Sequence, residues 1–136
     1  MARILAIDYG GKRCGIAVTD ESQIIASGLT TVETKDLLLW LQDYVVKEDV
    51  ELFIVGEPKR LHGEASDSEK LIQPFLEKLN TVLPDIPVKR IDERFTSKIA
   101  FNTMLASGIS KKKRKDKALV DQISATIILQ DYLYNQ

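Results

Sequence analysis

Three acidic positions in this chain combine residue type and placement in a way that suggests chemistry. Asp8 follows Ile4-Leu5-Ala6-Ile7 directly and precedes Tyr9-Gly10-Gly11. A carboxylate that ends an apolar run lies near the core, where an unpaired charge is costly. It is paired with a base, bound to a metal, or turned outward to cap the turn that the glycines predict. Asp92 and Glu93 adjoin at the end of the last expected strand, beside Arg94. Adjacent carboxylates repel, and a nearby cation relieves that; Arg94 or a bound divalent ion could supply it. Asp121 shares one helical face with Ala125, Ile128 and Tyr132. Its place is expected in the first turn of that helix, where the dipole favours a negative charge. Small Ser124 and Ala125 beside it would let the helix approach the sheet closely and bring Asp121 towards Asp8 and Glu93.

Carboxylates that converged with few neutralising bases would form a hard-oxygen site, suited to Mg²⁺ or Mn²⁺. A pair of such ions about 4 Å apart can clamp the attacking and leaving oxygens of a phosphodiester. That chemistry needs neither histidine nor cysteine. The single histidine, His62, falls in a polar loop, and the single cysteine, Cys14, falls in a strand and is expected in the core. A zinc site lacks ligands, and with His62 in a loop and Cys14 in a strand a Cys–His or Ser–His–Asp nucleophile is not expected.

The elements that must position these groups follow from periodicity. Residues 3–9, 14–19 and 23–32 read as three strands joined by short turns, hence antiparallel. Residues 35–47 repeat Leu37, Leu38, Leu41, Tyr44 and Val45 at helical spacing. Residues 52–56 are a continuous apolar run, as expected of a strand covered on both faces. Ser66 and Glu69 form a capping box ahead of a stripe containing Leu71, Ile72, Phe75, Leu76 and Leu79. Pro74 inside that stripe predicts a kink or a late start. Residues 87–92 read as a fifth strand, Thr96 to Gly108 as a helix, and 118–134 as a last helix. The order β-β-β-α-β-α-β-α-α predicts an α/β fold, a mixed sheet of about five strands with helices on both faces.

Length and composition fit that frame. The 136 residues are 44% hydrophobic and 29% charged, which predicts a single globular domain spanning 1–136. One cysteine excludes an internal disulfide and fits a reducing compartment. No apolar run approaches the roughly 20 residues of a membrane span, and the N-terminal stretch is too short for a signal peptide. A soluble, cytoplasmic protein is expected.

The overall charge of −1, from 19 basic and 20 acidic residues, hides an asymmetry. The segment 111–117 holds six basic residues (Lys111, Lys112, Lys113, Arg114, Lys115 and Lys117) and one acidic residue, Asp116, leaving 13 basic against 19 acidic elsewhere. Such an island is a solvated loop or a polyanion contact. Lys12 and Arg13 follow Asp8, Lys59 and Arg60 follow the fourth strand, and Arg94 follows Glu93. The basic run precedes the helix carrying Asp121. Every cation cluster thus flanks a proposed site element, which favours contact with a nucleic-acid backbone. No aromatic-interleaved stacking platform stands out, so recognition of backbone and shape is expected.

Four blocks then resemble a known family: Ile7-Asp8-Tyr9-Gly10 with Gly15-Ile16-Ala17-Val18; Ile54-Val55-Gly56-x-Pro58; Asp92-Glu93-Arg94-Phe95-Thr96; and Val120-Asp121-x-x-Ser124-Ala125-x-x-Ile128-Leu129. In that order, across nearly the whole chain, they resemble the YqgF (RuvX) family. The resemblance implies an RNase H-like fold and a metal-dependent nuclease. The family is linked to maturing the 5′ end of 16S ribosomal RNA and was earlier regarded as a Holliday-junction resolvase. Its acidic positions carry over to Asp8, to Asp92 or Glu93, with Glu93 favoured, and to Asp121. Asp8 would bridge two ions, and the other two would each complete one shell. Glu57 departs from the apolar residue of many relatives; it is an outer ligand or a solvated loop residue, and the second reading is preferred. A ribosomal partner and a branched-DNA substrate stay open, as does a non-catalytic RNA-binding assembly module. An actin- or sugar-kinase-like ATPase would need a second lobe that 136 residues do not supply.

Overall fold

The computed structural model describes residues 2–57, 69–92 and 117–134. In chain order these form β1 (Arg3–Asp8), β2 (Arg13–Thr19), β3 (Ala26–Glu33), a 3-10 turn (Thr34–Asp36), α1 (Leu37–Lys47), β4 (Val50–Glu57), α2 (Glu69–Val82), β5 (Val88–Asp92) and α3 (Lys117–Tyr134). The sheet order is β3-β2-β1-β4-β5. The β1–β2 and β2–β3 pairs are antiparallel, and β1–β4 and β4–β5 are parallel. The mixed five-stranded sheet with helices on both faces is therefore as expected. The expected helix from Thr96 to Gly108 lies outside the described residues.

Side-chain alternation along the strands divides the core in two. Leu5 and Ile7 of β1, Cys14, Ile16 and Val18 of β2, and Phe53 and Val55 of β4 pack with Leu37 and Leu41 of α1 and Ile72, Phe75 and Leu79 of α2. Ile4, Ala6, Ala17, Leu52 and Ile54 pack on the other face with Ala125, Ile128 and Leu129 of α3. Both faces of the central strands are thus covered, and their near-continuous apolar runs follow from that.

Three local differences from the sequence expectations have physical causes. β3 begins at Ala26 rather than residue 23. The Asp20 carboxylate accepts hydrogen bonds from the backbone N–H groups of Ile24 (2.8 Å) and Ile25 (3.0 Å), which hold both residues in the hairpin turn. Pro74 does not delay α2; the helix runs from Glu69 past it, and the proline, on the exposed side, forgoes one i→i−4 hydrogen bond there. Asp121 is the fifth residue of α3, not in its first turn, because the helix starts at Lys117.

Candidate functional site

Parallel pairing sends β1, β4 and β5 in one direction, so their carboxyl ends form one edge of the sheet. That edge is where open α/β sheets bind ligands. Asp8, Glu57 and Asp92 are the last residues of the three strands. Glu57 and Asp92 are paired in register, and Asp8 is paired with Gly15 of β2.

Alternation separates these groups. Ile4 and Ala6 pack beneath α3, so Asp8, next in that series, belongs to the α3 face. Val55 belongs to the α1–α2 face, and Glu57 follows it there. The structure therefore puts Glu57 across the sheet from Asp8, half-buried at the end of β4 rather than in a loop. Asp92 occupies the register position of Glu57. Glu93 and Arg94 lie outside the described residues, as do Lys59, Arg60, His62, Lys111, Lys112, Lys113, Arg114, Lys115 and Asp116.

Space at Asp8 comes from glycine. Gly15 is its register partner on β2. On β4 the pairing of Ile7 with Val55 makes Gly56 the next level up. Half-buried Asp8 is thus flanked on both sides by positions without a side chain.

α3 brings the third acidic position to the same face. Ala6, Ala17 and Gly28 form one cross-strand row through successive pairings, and α3 lies in this shallow trough. A Cβ on Gly28 would stand 3.3 Å from Thr126 Oγ1 and 3.4 Å from Gln122 Cβ. Fully buried Ala125 and Ile128 confirm the expected inward stripe, and Asp121 lies one turn before Ala125 on it.

The turn after Asp8 is held firmly. Thr34 Oγ1 donates to the Gly10 carbonyl at 2.7 Å, and the Thr34 N–H donates to the Lys12 carbonyl at 3.0 Å. A Cβ on Gly10 would collide with the Arg13 carbonyl. Lys12 is exposed in this turn and half-buried Arg13 opens β2. Together with Thr31, Glu33, Thr34 and Lys35 they line an open trough. Burial, and then the adjacent Cys14, push the Tyr9 phenol above its ordinary value, so it is neutral at neutral pH. Cys14 is fully buried, as expected of a core residue.

Two groups escaped the sequence reading. Lys35 and Thr34 join the trough only because the 3-10 turn packs on the β1–β2 turn. Arg90 Nη2 and Nε donate to the Gly56 and Val55 carbonyls at 2.9 and 3.2 Å, tying β5 to the end of β4. No local pattern distinguishes Arg90 from any other strand cation, because its partners are 34 and 35 residues away.

Among the described residues no three of His, Cys, Asp and Glu gather into a ligand set. Nor is any helix long and apolar enough to cross a membrane among those residues. On the α3 face Asp8 offers a carboxylate with glycine-lined room beside it. Hard divalent cations fit such oxygen donors.

Comparison with known proteins agrees with this architecture. The RuvX family, described as "Holliday junction resolvase", matches residues 2–135. A protein of Flavobacterium psychrophilum named "Putative pre-16S rRNA nuclease" is 59% identical over 133 residues, covering 98% of this chain and 97% of that protein. Proteins of the same name from Bacteroides fragilis and Porphyromonas gingivalis are 58% and 57% identical, covering 98% and 99% of this chain and 96% and 98% of their own lengths. Among solved structures, Thermus thermophilus RuvC in complex with Holliday junction substrate superposes with a TM-score of 0.56 at 16% identity, covering 99% of this chain and 95% of that one. The shared fold is the RNase H-like one.

Proposed function

The chain belongs to the RuvX family, and from that premise we propose that it is a divalent-metal-dependent nuclease that matures the 5′ end of precursor 16S ribosomal RNA in the cytoplasm. We further propose that residues 1–136 act as one domain. The names of its relatives and the RNase H-like fold support a phosphodiester-hydrolysing enzyme. The observation that carries the site is Asp8: it ends the central strand between two glycine positions, on the face covered by the helix of Asp121.

In this reading Asp8, Glu93 and Asp121 would hold Mg²⁺ or Mn²⁺. When bound, the cation supplies an acidified water and neutralises charge on the scissile phosphate. The chain's own groups do the rest. The Ala6–Ala17–Gly28 trough fixes the height of the Asp121 helix over the sheet. The Thr34 bonds hold the turn that carries Lys12 and Arg13, so that those cations meet phosphates flanking the cut. Lys59, Arg60, Arg94 and the basic run 111–115 extend the backbone contact and give affinity without base selection.

The carboxylates would serve a four-way DNA junction equally well, and the family's description favours that substrate as the rival. Purified protein offered precursor 16S ribosomal RNA and junction DNA with Mn²⁺ distinguishes the two. We expect RNA cleavage that Asp8→Asn abolishes, with the circular dichroism spectrum and thermal midpoint retained. Full cleavage by Asp8→Asn removes the site assignment. RNA binding without cleavage, metal present, replaces the nuclease reading with an assembly module.

A further inference from the structure

A second recess opens at the same edge of the sheet, on the face away from Asp8. Its walls include Tyr9, Lys35, Leu38, Leu71, Pro74 and Lys78, and its volume of about 290 Å³ is just under the usual range for ligand pockets. It lies between α1 and α2. The Tyr9 ring is propped against Phe75, with centroids 5.0 Å apart and planes inclined by 35°. One aromatic face thus stands among aliphatic walls, with two lysines nearby. Leu71 on its wall is exposed, an apolar group that no described residue covers.

Position links this recess to the site. Tyr9 is the residue after Asp8, one strand step of about 3.3 Å along the same edge. The two side chains alternate to opposite faces, so a chain passing over the edge meets both. Lys35 lines this recess and also the open trough of Lys12, Arg13 and Thr31. Cations therefore mark a continuous track: Arg13 and Lys12, then Lys35, then Lys78. The Lys35–Glu33 ion pair, at 3.3 Å, is exposed on both sides and weak enough to yield to a phosphate.

We propose that the recess takes one unpaired nucleobase, stacked on Tyr9, from a nucleotide one or two positions from the phosphate held at Asp8, with Lys35 and Lys78 on the adjoining phosphates. Aromatic and apolar walls with cations at the rim fit a nucleotide, whose base has a π-face and whose backbone is anionic. Stacking of this kind tolerates any base, so the substrate class is a single-stranded or splayed segment rather than a continuous duplex. The inference rests on the nuclease reading for the identity of its ligand. It also revises the expectation of no stacking platform: Tyr9 and Phe75 are 66 positions apart in sequence and meet only in the fold.

The test is binding in EDTA, which needs no cleavage. Short single-stranded RNAs carry 2-aminopurine at successive positions, and a matching set carries an abasic site. We expect strong quenching at one or two adjacent positions. The abasic substitution there weakens binding about tenfold, the scale of one lost base–aromatic stack. Tyr9→Leu abolishes the quenching and binds intact RNA about tenfold more weakly. Lys78→Glu, on the exposed side of α2, weakens binding several-fold without affecting the core.

Uniform fluorescence along the RNA overturns the proposal, as does unchanged affinity in both Tyr9→Leu and Lys78→Glu, or no RNA binding by the parent protein. If Tyr9→Leu does not fold, the abasic series and Lys78→Glu decide alone. Cleavage with Mn²⁺ is scored separately. RNA cut without position-specific quenching refutes the recess and leaves the nuclease, and position-specific quenching without cutting does the reverse.

Discussion

Gly28 of β3 lies directly beneath Thr126 of α3, so close that an added Cβ would stand 3.3 Å from the threonine hydroxyl oxygen and 3.4 Å from Gln122 Cβ. The helix that carries Asp121 is seated on the sheet by this absence of a side chain. Gly28→Ala can be absorbed by a shift of a few tenths of an ångström. Gly28→Val cannot, because a branched side chain overfills the contact, at a cost of about 1–3 kcal/mol. We expect Gly28→Val to lower the thermal midpoint modestly and nuclease activity by much more, since it lifts position 121 away from Asp8. A loss of activity no greater than that of an equally destabilising core change, such as Ile72→Val, would contradict this coupling.

The register of β5 bears on the choice between Asp92, its last residue, and Glu93, which lies outside the described residues. Ile91 packs towards α3, and position 92 is level with Glu57, which alternation assigns to the α1–α2 face. A residue that completes a site with Asp8 belongs to the α3 face, which favours Glu93. We expect Glu93→Gln to reduce cleavage by at least a hundredfold and Asp92→Asn by less than tenfold, with both proteins folded. The reverse order would show that β5 breaks its alternation beyond residue 92. Glu57→Gln should resemble Asp92→Asn.

Much of this arrangement was legible in the sequence for a simple reason. The strands are short apolar runs bounded by turn residues, and α3 buries Ala125 and Ile128 at helical spacing. Asp8, Asp92 and Asp121 therefore fell on nameable ends and faces. Groups defined by distant pairing were not legible. The Arg90 bonds to the β4 carbonyls and the Tyr9–Phe75 contact depend on strand register and helix placement, which no window of residues encodes. The face of Glu57 was hidden for the same reason, because it follows from counting along a strand whose inward residues must first be known.

The β2–β3 hairpin predicts an acid dependence of stability. Hydrogen bonds from the Ile25 N–H first, and the Ile24 N–H next, hold the Asp20 carboxyl below its ordinary value. A depressed folded-state value stabilises the protein at pH above the unfolded-state value of about 3.9, and the contribution is lost as pH falls through the lower folded-state value. Asp20→Ala should therefore be less stable than the parent at pH 7 in urea denaturation. The gap should narrow steadily below pH 4. An undiminished gap at pH 2 would show that the hairpin draws nothing from the ionised form.

The basic run tests how the polymer is held. Each phosphate contact on a single strand contributes about −0.7 to the slope of log affinity against log salt. Replacing Lys111, Lys112, Lys113, Arg114 and Lys115 with alanine removes five charges and should flatten that slope by up to about 3.5 if all five meet phosphates. Affinity should fall similarly for RNAs of unrelated sequence, because such contacts position the polymer and do not read it. Binding in EDTA keeps the measurement independent of cleavage. An unchanged slope would assign the run to solvent and leave the backbone to Lys12, Arg13 and Lys35. Those cations line one trough, Lys12 and Arg13 from the turn after Asp8 and Lys35 from the 3-10 turn, so Lys12→Ala with Arg13→Ala would then account for most of the salt dependence that remains.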